Sequence, residues 1–221
     1  MADGESKDSE TGRGPAARYR TGRVEAFSDG VLAIVITVLV LELEVPHSED
    51  RPVWPVLLEN WPSYLAYVVS FATIGAVWVT HTVITEYLDR VNSLFLRLNL
   101  LLLMVVSFLP YPTRLLAEYV GEPGERIVAV IYGGNLLLTS VLLSVLWRYA
   151  VHAGLVHPDF ADTDVRTLTT HLTPGVASYL VMIGLGLFLP VFAVLGYLLI
   201  AIYIMVPVAA IWHRRRGLSA R

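Results

Sequence analysis

No residue between Thr173 and Trp212 carries a formal charge. As one helix, that run of forty residues would be ~60 Å long at ~1.5 Å per residue, about twice the hydrocarbon core of a bilayer. Water offers such a segment no stable exposed state, and a membrane cannot hold it as a single crossing. It must fold back on itself, with Pro190 and Gly196 marking the expected turn and spans near 174–190 and 193–212. Four further apolar runs, 24–45, 63–85, 93–117 and 127–147, are separated by short polar segments. The pattern predicts an all-α membrane protein with six transmembrane helices per chain. Charged residues make up 16% of the sequence, against about a quarter in soluble domains.

Residues 1–22 mix glycine, serine, proline and both charges without apolar periodicity, as a disordered tail does. The membrane domain is expected over 23–212, followed by a basic tail over 213–221 that contains Arg214–Arg216. The late start of the first apolar run argues against a secretory signal peptide. With both termini cytoplasmic, thirteen of the sixteen Lys and Arg lie on or near that face, and only Arg51, Arg114 and Arg126 lie outside. This matches the positive-inside rule and predicts a multi-pass protein of the cell membrane. A net charge of -3 gives no reason to expect a nucleic-acid partner, whereas the Arg214–Arg216 run could touch anionic lipid. There are no cysteines, so disulfides, thiolate metal sites and cysteine nucleophiles are excluded.

Arg23 to Glu44, RVEAFSDGVLAIVITVLVLELE, is the segment of greatest chemical interest. It carries Asp29 at one end of a bilayer-length helix, and ionisable groups at such positions mark functional candidates. The alternative is a carboxylate solvated at the headgroup level. Further along, Ile34, Thr37, Val38 and Leu41 share one helical face. Periodicity leaves two readings open: lipid contact or core packing, and a narrow hydrophobic constriction around an axis. Thr37 could contact a partly dehydrated ion, or its hydroxyl could bond back to its own helix.

Arg23-Val-Glu-Ala-Phe27-Ser28-Asp29 resembles the first-helix signature R-x-x-x-F-S-D of the transmembrane protein 175 family of potassium channels. The likeness extends to Trp78-Val-Thr-His81, to Asn99-Leu-Leu-Leu and to Ser107-Phe-Leu-Pro110. It covers roughly 20–212 in a single copy, as in prokaryotic single-repeat members. The resemblance implies a homotetramer with four first helices around a pore, conducting potassium with modest selectivity and without a T-V-G-Y-G loop. It makes Ile34 the narrowest ring, Thr37 the next layer, and Val38 and Leu41 further apolar rings. No cofactor or bound metal is implied; potassium is only the permeant ion.

Phe27, Ser28 and Asp29 are expected to act as scaffold. Ser28 and Asp29 would be tied to His81 and Asn99, with Arg23 or Arg97 as counter-charge, because a buried carboxylate needs partners. Two other functions compete. One is a proton-coupled secondary transporter using Asp29 and His81, although no internal repeat supports it. The other is an intramembrane enzyme built on His152, His157, Asp159, Asp162, Asp164 and His171, which lack any H-E-x-x-H spacing and are better read as a solvated loop. No enzymatic activity is expected.

Overall fold

The computed structural model describes residues 21–43, 52–158, 160 and 162–218. Residues 1–20 of the tail expected over 1–22, the loop charges Glu49, Asp50 and Arg51, and Asp159 lie outside the described residues, whereas Thr21 and Gly22 already belong to the first helix. The described residues form eight α-helices: α1 Thr21–Val38, α2 Val53–Glu59, α3 Trp61–Glu86, α4 Ser93–Ser107, α5 Pro110–Tyr119, α6 Glu125–His152, α7 Asp162–Gly186 and α8 Pro190–Leu218. A tighter 3-10 turn, Leu39–Glu42, extends α1. Backbone groups in hydrocarbon must be satisfied within their own segment, so apolar runs of this length become helices.

Five columns are long and apolar enough to cross a membrane: Thr21–Glu42, Trp61–Glu86, Ser93–Tyr119, Glu125–His152 and Leu168–Gly186. Within the described residues the apolar stretch of α8, Pro190–Met205, is shorter. The α3 helix is central, packing on α1, α5 and α8, while α6 packs on α4, α5 and α7. The core includes Leu32 and Leu39 of α1, Ile74 and Ile84 of α3, Leu102 of α4, and Trp147 of α6.

Pro110 splits the third column, as expected of a residue without an amide hydrogen. The Val106 carbonyl, whose normal partner would be residue 110, accepts from the Leu109 amide at 3.0 Å instead. Asn135 of α6 reinforces the break by donating to the Val105 carbonyl at 3.1 Å. Nearby, Ser70, Thr113 and Tyr132 join α3, α5 and α6 through buried hydroxyl contacts of 2.7 and 2.9 Å.

Two boundaries differ from the sequence expectation. The polar loop expected over 149–171 is shorter, because α6 continues to His152 and α7 begins at Asp162. Gly154, at φ 62°, ends α6. Its amide bonds the Val151 carbonyl and that of Leu155 bonds the Ala150 carbonyl, the paired closure of a Schellman motif. The last turn also differs. It lies at Leu187–Leu189, with Pro190 opening α8, whereas Gly196 sits inside that helix. There its missing Cβ makes room for Met182. The basic residues His213–Arg216 continue the α8 backbone helix; their side chains lie outside the described residues.

The loops at one end of the bundle are tied together. Leu88 and Val156 form an isolated bridge, and the His157 amide donates to the Tyr87 carbonyl at 2.9 Å. Tyr87 stacks on Phe160 with ring centroids 4.4 Å apart. Asn92 caps α4 by accepting from the Phe95 amide at 2.9 Å.

Candidate functional site

The two faces of α1 have opposite environments. Val24, Ser28, Leu32 and Val35 are buried against the rest of the chain, as is Leu39 in the following turn. The opposite stripe is exposed: Phe27, Gly30, Ile34, Thr37 and Leu41, with Ala33 and Val40 beside it. Ile34 is 64% exposed and Leu41 75%, while Leu32 and Leu39 are 2% and 0% exposed. A spacing of three to four residues keeps each set on one side. Val38 is half-buried, at the edge of the exposed stripe rather than along its middle.

The Thr37 hydroxyl donates to its own helix, 3.0 Å from the Ala33 carbonyl and 2.8 Å from that of Ile34. One hydrogen is thus shared by two acceptors. The oxygen lone pairs are not consumed by that bond and remain available on the exposed side.

At the other end of α1 the polar residues separate into two groups. Ser28 is buried and accepts from Asn99 Nδ2 at 2.9 Å. Asn99 Oδ1 in turn lies 2.8 Å from His81 Nε2. The amide oxygen can only accept, so His81 Nε2 carries the proton of this bond. Three helices, α1, α4 and α3, are thereby joined by a chain of side-chain hydrogen bonds with one direction. His81 Nδ1 is buried and has no partner among the described residues.

Asp29 does not share that chain. Its Oδ1 accepts from Trp78 Nε1 at 3.0 Å. Of the pair expected to bond His81 and Asn99, Ser28 bonds Asn99 and reaches His81 only through it, and Asp29 bonds neither. On α3, Trp78 is 46% exposed and reaches Asp29, whereas His81, one turn further on, is fully buried. Among the described residues neither Arg23 nor Arg97 pairs with Asp29; both lie at the exposed surface. Phe27 is 54% exposed, on the same stripe as Ile34.

Trp78 is the residue of this site to which the sequence reading assigned no role. The available signal was its position three residues before His81, which places an indole N–H one turn away at similar depth. Among the described residues no group of three or more His, Asp or Glu could hold a metal ion. His152 and His157 lie near the loop after α6, while the side chains of Asp162, Asp164 and His171 lie outside the described residues.

A family model described as endosomal/lysosomal potassium channel TMEM175 matches residues 23–110. A potassium channel of Chamaesiphon minutus is 44% identical over 170 residues, covering 75% of this chain and 84% of the relative. The crystal structure of a lysosomal potassium-selective channel TMEM175 homolog from the same organism superposes with a TM-score of 0.78 at 39% identity, covering 85% of this chain and 97% of that one. An endosomal/lysosomal proton channel TMEM175 of Gallus gallus is 37% identical over 117 residues, covering 49% of this chain and 23% of its own length. This chain belongs to the TMEM175 family.

Proposed function

We propose that this protein is a potassium-preferring leak channel of the cell membrane, assembled as a homotetramer with four copies of α1 around a central pore. The observation that carries the reading is the exposed stripe of α1. It is apolar and regular, yet among the described residues nothing covers it, while the reverse face holds the helix firmly to α3 and α4. Four such stripes facing one axis would form stacked rings at Ile34, Thr37 and Leu41, with Val38 flanking them. The α8 helix makes the sixth crossing, since its backbone stays helical to Leu218 and its sequence apolar to Trp212. Both termini are then cytoplasmic, as the distribution of basic residues favours.

The mechanism follows from the ring chemistry. A ring of four isoleucines admits no fully hydrated cation, so an ion sheds part of its shell to pass. Potassium holds water less tightly than sodium and passes more easily. Branched side chains offer no replacement ligands, so discrimination is weaker than in a carbonyl cage. The Thr37 oxygens, their hydrogens turned back into the helix, offer an acceptor ring just beyond the constriction. The Ser28–Asn99–His81 chain and the Trp78–Asp29 bond hold α1 in register, because a small rotation would close or open the rings. Potassium is the permeant ion, and no cofactor takes part.

A second reading is proton permeation, favoured by the names of the animal relatives. A relay between Asp29 and His81 has no direct hydrogen bond to use, because the two belong to separate groups. Bilayer recordings under opposed potassium, sodium and pH gradients separate these readings. The reversal potential should follow potassium. Ile34→Asn should raise the current several-fold and reduce discrimination against sodium. A reversal potential that tracks pH alone would favour proton transport, and unchanged permeation in Ile34→Asn would place the constriction elsewhere.

A further inference from the structure

On the flank formed by α6 and α7, away from the α3–α4 side where α1 packs, the surface opens into a groove of about 380 Å³. Its walls are Val141 and Val145 of α6 and Val176, Ala177 and Leu180 of α7. Ser144 also faces it, but its hydroxyl is spent on the Ser140 carbonyl at 2.9 Å. Among the described residues of the lining, the charged group is Arg148, one turn before the end of α6.

The register of the two helices sets the length of the groove. Trp147 Nε1 donates to Thr169 Oγ1 at 2.8 Å, and Ser140 lies against Gly175. Leu180 therefore sits about three helical turns deeper than Arg148, roughly 16 Å. That is close to half of the ~30 Å hydrocarbon core. The groove thus has the depth of one leaflet, apolar along its walls and cationic at the headgroup end.

We propose that this groove holds an anionic phospholipid of the leaflet adjoining the α6 C-terminus, one acyl chain along the valine walls and the phosphate at Arg148. Lipid tails are as apolar as the groove, so moving a chain into it gains little hydrophobic energy. The walls supply shape, and the preference among lipids comes from charge. The planar guanidinium has five N–H donors and can serve a phosphate alongside a contact within the protein. Arg166, exposed in the first turns of α7, adds a second cation on the same side. The partial negative charge of the α6 C-terminus works against an anion, although the closure at Gly154 already engages two of its carbonyls. A cation near the surface favours an anionic headgroup by about fivefold.

The test uses the full chain reconstituted in mixed phosphatidylglycerol and phosphatidylcholine, with retained lipid counted by native mass spectrometry. The wild type should retain phosphatidylglycerol over phosphatidylcholine by about fivefold. Arg148→Gln should remove most of that preference. Ala177→Phe fills the groove without touching its charge and should lose the retained lipid altogether. Arg126→Gln, at the opposite end of α6, should behave as wild type, and unchanged melting of every variant shows that each is folded. Equal retention of the two lipids by wild type would overturn the proposal. So would undiminished phosphatidylglycerol on both Arg148→Gln and Ala177→Phe. The readout is bound lipid rather than current, so the outcome is independent of whether the pore selects potassium.

Discussion

Asn99 occupies the middle of the polar chain joining α1, α3 and α4, with both ends of its amide engaged. Asn99→Leu leaves His81 Nε2 and Ser28 Oγ buried without those partners. Each buried polar group deprived of a partner costs roughly 1–3 kcal/mol, more than an intact bond contributes. The melting temperature in detergent should therefore fall clearly. His81→Leu combined with Asn99→Leu should be less harmful than Asn99→Leu alone, because the imidazole no longer needs a partner and Ser28 can turn to its own helix. A double variant that melts below the single one would show that the chain is not the source of the loss. The sequence ties Ser28 to Asn99 and His81, and the three do form one chain. The expectation that Asp29 joins them differs from the structure, because the sequence does not decide which of several nearby donors a carboxylate takes, and Trp78, one turn from His81 on α3, supplies that N–H.

Among the elements, the α6–α7–α8 packing depends on two glycines whose surroundings differ in stiffness. A Cβ on Gly133 would run into the Tyr197 hydroxyl and ring and into Ile183. Tyr197 is packed against Tyr132 and Tyr179, with centroids 5.7 and 6.1 Å away, and cannot easily move. On Gly196 the obstacle is Met182, an unbranched thioether that can re-rotate. Gly133→Ala should destabilise by about 1–3 kcal/mol through overpacking. Gly196→Ala should cost less, because the roughly 0.5–1 kcal/mol gained by removing a helical glycine offsets the strain. Paired unfolding curves would check the order of the two. The apolar helices themselves are legible because hydrocarbon forces each apolar run to satisfy its own backbone. The ends were less legible. Gly154 closes α6 through a left-handed turn that hydropathy does not register, and Gly196, read as a turn, is a packing notch.

For the whole molecule, what matters is which side of α1 belongs to the protomer and which remains for assembly. Both sides are apolar, Leu32, Val35 and Leu39 on one and Ile34 and Leu41 on the other, so composition could not distinguish them. Packing does: the first set lies in the core and the second is left uncovered. The natural chain contains no cysteine, so single cysteines can be placed along α1 without background. Silver ions, similar in size to potassium and reactive toward thiolates, probe the conducting path directly. Potassium current through Ile34→Cys, Thr37→Cys and Leu41→Cys channels in a bilayer should be blocked by silver, while Leu32→Cys, Val35→Cys and Leu39→Cys channels continue to conduct. Continued current through Ile34→Cys and Leu41→Cys, with block confined to the other three, would contradict a conduit lined by this face of α1.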